Sequence, residues 1–350
     1  MSVRVPVLSL LVCLVSIACC ATTALAVEGG TPLRIVTFNS ELLNAPRVTP
    51  GQLQKYRFDY ARQKELERVA YLIETLQPDI LNLVEVTSKE AVDQLVDILH
   101  QKGLAEYQGY HIDSHDTFTG LDVAVITKYK PDEVDGKLIQ TIYSEPDDPT
   151  WRQVFTFQDD RSGKTVRRNA SLSRNSLYFI TVNGYKLGFL GLHLKSNPQD
   201  VYSNARRTAE AEIARRIIRS QITPRGYLPI VLGDMNDYDP DVPDADDSRD
   251  TSTNVLRDLK DFDPDQPGPE LVNVAERIQR QADRFTSHWD WNENGADDGD
   301  DVYTSIDHIL LAKELMPYVK HAFICHTVTL VTSDHFPVVV DLVLPNKQAQ

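Results

Sequence analysis

Cysteine is scarce, and most of it sits where it cannot serve the fold. Cys13, Cys19 and Cys20 lie in the first twenty residues, which leaves Cys325 alone in the rest of the 350-residue chain. One thiol cannot close an internal disulfide, so the fold must rest on packing. Cys325, in an alternating apolar stretch, reads as a small buried hydrophobe. Positive charge is also short, with 36 Lys and Arg against 51 Asp and Glu and a net charge of −15. That balance argues against a non-specific nucleic-acid clamp, which needs a basic face. It leaves room for an enzyme that neutralises one phosphate at a time with bound cations. Past residue 26 no apolar run is long enough to span a bilayer, and no tandem repeat or linker divides the chain.

The first 26 residues read as a signal peptide. Arg4 is a minimal positive region, Val5 to Cys20 is apolar, and Ala24-Leu25-Ala26 is an A-x-A cleavage site. The alternative, lipoprotein processing at Cys19, wants a bulky aliphatic residue where Ser16 stands. The expectation is a secreted or periplasmic protein cleaved near Ala26, without stable membrane insertion and monomeric, with 27–350 as a single domain.

Apolar periodicity beyond that point alternates between strands and helices. Strands are expected at Leu33–Asn39, Ile80–Val86, Leu121–Thr127, Leu228–Leu232, Ser305–Leu311, Ala322–Thr329 and Phe336–Val343. A hairpin of Leu177–Val182 and Leu187–His193 should turn at Asn183-Gly184. Helices are expected at Tyr60–Leu76, Ser88–His100 and Asn204–Ser220, the second capped by Ser88 and followed by Gly103. Pro131–Ser173 reads as a long polar loop that holds, with the adjoining Arg174, the only basic cluster, Arg161, Lys164, Arg167, Arg168 and Arg174.

Polar groups recur at the ends of these apolar runs. Asn39, Glu85, Asp234 with Asn236, Asp307 and Asp334 with His335 each stand at a predicted strand tip, where a sheet holds side chains rigidly and loops expose them. Phosphodiester hydrolysis needs charge neutralisation, an activated water and help for the leaving oxygen. Hard cations such as Mg²⁺ take carboxylate and amide oxygens, for which Glu85 and Asp334 are natural ligands and Asn39 can add an oxygen or orient a ligand. Asp234 can accept a proton from water, and Asp307 with His335 can form a carboxylate-held imidazole. Each piece has a plainer reading: Gly233-Asp234-Met235-Asn236 as a turn, Glu85 pointing outward, His193 as a satisfied core histidine. Five such coincidences at strand tips favour the chemical reading.

In order and wording the motifs Thr37-Phe38-Asn39, Pro78 to Val86, Gly233 to Asn236, Ile306-Asp307-His308 and Ser333-Asp334-His335-Phe336-Pro337 resemble the endonuclease/exonuclease/phosphatase superfamily. The resemblance implies a four-layer α/β/β/α sandwich, two mixed sheets face to face with helices outside. It also implies Glu85, Asp334 and Asn39 at a Mg²⁺ or Mn²⁺ ion and Asp234, Asn236, His193, His335 and Asp307 as the catalytic set. Arg174 matches a phosphate-contacting arginine, and Asp122 is a candidate supporting group. No hairpin of exposed aromatics, such as bacterial sphingomyelinases carry, is evident.

Apart from that resemblance, Asp290-x-Asn292-x-Asn294-Gly295, with Asp298 and Asp301, has the spacing of a structural Ca²⁺ loop, although Asp replaces Glu at the last position. A solvated acidic loop is the alternative. The expected activity is a nuclease-like phosphodiesterase acting on extracellular nucleic acid. The alternatives are a sphingomyelinase-like lipid phosphodiesterase, a phosphomonoesterase, or a non-catalytic interaction module on the same scaffold.

Overall fold

The apolar runs become the central strands of two six-stranded sheets in a computed structural model. It describes residues 29–48, 53–144, 148–198, 200–246, 253–292, 294–295 and 298–347. The expected signal peptide, with Cys19 and Ala26, lies outside the described residues. Numbered along the chain, the first sheet runs β15 (Val319–Ile324), β16 (Val338–Pro345), β1 (Gly30–Leu43), β2 (Ile80–Val86), β4 (Asp122–Thr127), β3 (Gln108–Ile112). The second runs β11 (Leu271–Asn273), β14 (Asp307–Ala312), β10 (Leu228–Asp234), β9 (Tyr185–His193), β8 (Asn175–Val182), β5 (Ile139–Gln140). Each sheet has one parallel pair at its middle, β1 with β2 and β9 with β10, and antiparallel neighbours outside it.

The helices α1 (Asp59–Leu76) and α2 (Lys89–Gln101) cover the first sheet. Leu66, Val69, Ile73 and Leu76 of α1 and Val92, Leu95 and Leu99 of α2 bury against Val36, Phe38, Leu81 and Leu83. Ser88 caps α2 by accepting the Ala91 N–H, and Gly103, at φ 86°, follows its end. In the larger core Leu33, Ile35 and Ile80 of the first sheet join Phe189, Ile230 and Leu310 of the second. Ile213 and Ile217 of α3 (Val201–Ile217) close it from the far side, beside α4 (Val255–Lys260). This is the expected four-layer sandwich. The turn between β8 and β9 places Asn183 at φ 51° and Gly184 at φ 78°, as a two-residue hairpin turn demands.

Three readings are corrected. Pro131–Ser173 is not simply a loop: besides β5 it holds a hairpin, β6 (Arg152–Gln158) with β7 (Thr165–Ser171). Phe155 and Ala170 pack on Ala209 of α3, giving this otherwise polar segment a small core of its own. The last edge strand is β15, earlier in the chain than Ala322–Thr329. Finally, a short hairpin of β12 (Ser287–Trp289) with β13 (Val302–Thr304) carries two exposed aromatics, Trp289 and Trp291. Three-residue strands are too short to show a period-2 pattern.

Candidate active site

Parallel strands end on the same side, and antiparallel neighbours begin there. The C-terminal ends of β1, β2, β9 and β10 and the starts of β14 and β16 therefore meet along one edge of the sandwich. Register does the rest: Asp234 stands opposite His193 on one side and Asp307 on the other. Glu85 lies on a bulge at φ 62°, and β1 bulges between Asn39 and Leu43, with Glu41 and Leu42 at φ 49° and 61°. Bulges re-aim side chains, and left-handed non-glycine residues mark backbone held by its surroundings. Gly233, at φ 136°, admits no side chain, because a Cβ there would collide with the Leu192 carbonyl oxygen.

The catalytic set expected from the sequence converges. Asn39 Nδ2 donates to Asp234 Oδ2 at 3.0 Å and lies 3.3 Å from Glu85 Oε1. His193 Nε2 sits 3.6 Å from Glu85 Oε1 and 3.7 Å from Asp234 Oδ2. The Arg174 guanidinium lies against that imidazole, 3.2 Å from each ring nitrogen, and donates to the Leu194 carbonyl. Asp307 Oδ2 holds His335 Nδ1 at 2.8 Å, and Ser333 Oγ accepts the His335 N–H while donating to the Asn39 carbonyl. Asn236 donates its backbone N–H to Asp234 Oδ1 and its amide to the Leu194 carbonyl. Asp334 stands on the rim, 44% exposed, with Oδ1 3.8 Å from His335 Nε2.

Burial sets the electrostatics. Burial, reinforced by Asp307, pushes the Asp234 carboxyl up to about 7. Burial also raises Glu85, with Asp334 adding to the effect. His193 is driven well below the ordinary imidazole value by burial and then by Arg174, so it is neutral at pH 7. For His335 burial opposes protonation, but Asp307 and Asp334 outweigh it and hold its pKa well above the usual value. The edge thus holds a neutral imidazole beside an arginine and a charged imidazole beside a carboxylate.

The donor set suits a hard divalent cation. Ligand atoms of Glu85, His193 and Asp234 lie within 4.8 Å of one another, as do those of Asp234, Asp307 and His335. Asp307 Oδ1 is buried without a hydrogen-bond partner. Crowded, desolvated carboxylates whose pKa values are pushed upward are what a bound dication relieves. Asn39 Oδ1 accepts the Glu41 N–H, while its Nδ2 faces the Glu85 and Asp234 carboxylates.

Two further groups lie apart from this catalytic set. Asp122 holds His111 at 2.7 Å and the Ser114 N–H, and makes no bond to the catalytic set. The Asp290–Asp301 stretch forms the turn of the β12–β13 hairpin. There Asp290 accepts the N–H groups of Asn294 and Gly295, Asp298 accepts the two Asn amides, and His288 binds Asp301 at 2.6 Å. Sequence reasoning missed Glu41 and Lys55. Glu41 takes Lys55 Nζ at 2.8 Å and the Asp334 N–H at 3.3 Å, tying the rim to β1. Neither residue sits at a strand tip, so no pattern marks them.

A family model described as endonuclease/exonuclease/phosphatase family matches residues 36–335. Solved structures share the fold. An AP endonuclease from Archaeoglobus fulgidus is 19% identical, with TM-score 0.54, covering 88% of this chain and 98% of that one. The 3′ phosphatase NExo from Neisseria, bound to a product DNA hairpin, is 16% identical, with TM-score 0.54, covering 89% and 99%. TDP2 from D. rerio, complexed with a single-strand DNA product, is 15% identical, with TM-score 0.51, covering 89% and 98%. No curated protein matches the chain at a significant level.

Proposed function

Because the chain belongs to the endonuclease/exonuclease/phosphatase family and is a metal-dependent phosphoester hydrolase, we propose that it is a phosphodiesterase whose substrate is nucleic acid. The observation that carries this is the pairing of a desolvated Asp234, held by Asn39, with an Asp307-charged His335 across one strand register. In this reading Asp234 accepts the proton of the attacking water, and Asn236 keeps that carboxylate aimed. His335 steadies charge developing on the phosphoryl oxygens, while Arg174 and the neutral His193 bind the phosphate. Glu85 and Asp334 are the residues that would hold Mg²⁺ or Mn²⁺, with Asn39 beside them. When bound, the ion supplies Lewis-acid polarisation of the phosphoryl group and a more acidic water. Nucleic acid is preferred because two of the solved neighbours are complexes with DNA products. Export is proposed from residues 1–26 alone, on the sequence signals given above.

The test is hydrolysis by purified protein of DNA, RNA, bis-p-nitrophenyl phosphate, p-nitrophenyl phosphate and sphingomyelin, with Mg²⁺ or Mn²⁺ and then with chelator. Cleavage of DNA or RNA that chelator abolishes is the expected result. Activity confined to sphingomyelin or to the monoester would overturn the substrate and keep the site.

A second, structural cation is proposed for the β12–β13 turn, because the Asp301 side chain is fully buried there with Oδ1 unpartnered. Ca²⁺ should raise the melting temperature of the wild type, and Asn292→Ala with Asn294→Ala should remove most of that rise. An equal rise in the variant would dispose of the loop site.

A further inference from the structure

The catalytic edge is flanked by two hairpins of opposite charge. In the second sheet the order is β14-β10-β9-β8, so Asp234 and His193 lie in the middle, with β14 on one side and β8 on the other. The flanks are three strand spacings apart, about 14 Å. On the β8 side Arg174 leads back into the β6–β7 hairpin. Phe157 packs on Tyr202 at 5.1 Å, and Tyr202 is in the first turn of α3, soon after His193. The hairpin tip is therefore at the catalytic end of α3. It exposes Arg161, Lys164, Arg167 and Arg168 against only Asp159 and Asp160, and none of the four has an ion-pair partner among the described residues.

The β14 side is the reverse. The β12–β13 hairpin is joined to the catalytic loop by the Ser287–His335 bridge and by His288 N–H donating to the Asp334 carbonyl at 2.8 Å. From Arg284 to Lys313 the chain has no Lys or Arg between, while the turn carries Asp290, Glu293, Asp297, Asp298, Asp300 and Asp301. One Ca²⁺ would leave this turn negative. Beside Asp290 stand Trp289 and Trp291, 54% and 63% exposed and 5.1 Å apart edge to face.

A nucleic acid carries a phosphate at every nucleotide, so it is attracted to one flank and repelled from the other. Resting on the nucleic-acid reading above, we propose that the enzyme cleaves close to a chain end. The polyanionic flank of the substrate lies along the β6–β7 hairpin. The short terminal piece, with few or no further phosphates, faces the β12–β13 hairpin, where the tryptophans offer ring faces to an unpaired base.

The experiment compares one single-stranded DNA as a closed circle and as the same molecule linearised, incubated with the full-length protein and Mg²⁺ or Mn²⁺. The linear form should be degraded from an end at least 100-fold faster than the circle is opened. Asp290→Asn, Asp298→Asn and Asp300→Asn together should raise the rate on the circle at least tenfold. If melting shows the triple variant to be unfolded, Asp300→Asn alone should give a smaller rise of the same sign. Arg161→Glu with Arg167→Glu should raise KM for the linear DNA at least tenfold and flatten its salt dependence. Equal rates on circle and line would overturn end-directed cleavage while leaving the nucleic-acid reading intact. A loss confined to kcat in the arginine variant would overturn the role of the basic hairpin. Hydrolysis of small phosphodiesters with no cleavage of either DNA would overturn both readings.

Discussion

Asp234→Asn is expected to lower kcat by about 10²–10⁴-fold, the usual worth of a positioned acid–base group. The fold should survive, since the amide fits the same space and its one oxygen keeps one of the two bonds, from the Asn236 N–H or from Asn39. The variant should also be the more stable protein in chelator. The wild-type carboxyl, pushed up to about 7 by burial and Asp307, keeps a proton that the unfolded chain releases near its ordinary value. The native state therefore binds more protons between about pH 4 and pH 7, so wild-type stability falls as pH rises through that window. Removing the charge removes that slope, and the stability advantage of the variant should grow from pH 4 to pH 7 and then level off. Rates on bis-p-nitrophenyl phosphate and urea melts at several pH values check both halves. Retention of more than a tenth of the activity would sink the assignment of Asp234.

Arg207→Ala should be the most destabilising single change on α3. Arg207 is fully buried and surrounded by acceptors: Asp237 Oδ2 at 2.8 Å from Nε, the Lys195 carbonyl at 2.9 Å from Nη1, and Asn204 Oδ1. Asp237 is itself 1% exposed, with Thr253 donating to the same oxygen. Removing the guanidinium leaves an uncompensated buried carboxylate, at a cost of about 3–5 kcal/mol. For a chain of this length that lowers Tm by roughly 10 °C. Activity should fall further than stability, because the same arginine ties the segment after His193 to the loop that carries Asn236. Pairing Arg207→Met with Asp237→Asn should recover most of the stability, and a double-mutant cycle measures the coupling. A loss below about 1 kcal/mol in the single variant would show that α3 does not depend on this pair.

Much of this is legible in the amino-acid sequence alone. Ile80–Val86 has the predicted bounds because a strand buried on both faces is a nearly continuous apolar run, broken here only by Asn82 and Glu85. Ser88 and Asn183-Gly184 act through local chemistry that reads directly from sequence. Asp234, Asp307 and His335 could be chosen because each stands at the tip of such a run. What stayed hidden depends on partners far away in sequence. The β6–β7 hairpin finds its apolar support on α3 and not in its own pattern. Arg207 reads as an ordinary helix residue until Asp237, 30 positions on, is brought beneath it. The bulges that turn Glu85 and Glu41 into the site are backbone adjustments that no side-chain period records.

The pairing of β1 with β16, Gly30 opposite Pro345 and Thr37 opposite Val338, has a consequence for when this enzyme comes into being. The strand that carries Asn39 is synthesised long before this neighbour. Until residues 338–345 are made, β1 keeps an open edge, the first sheet lacks β15 and β16, and His335 has no strand to anchor it. Closing so long a loop is slow, and little structure rewards it along the way. A growing chain is therefore catalytically blank until residues 338–345 have been made and paired with β1.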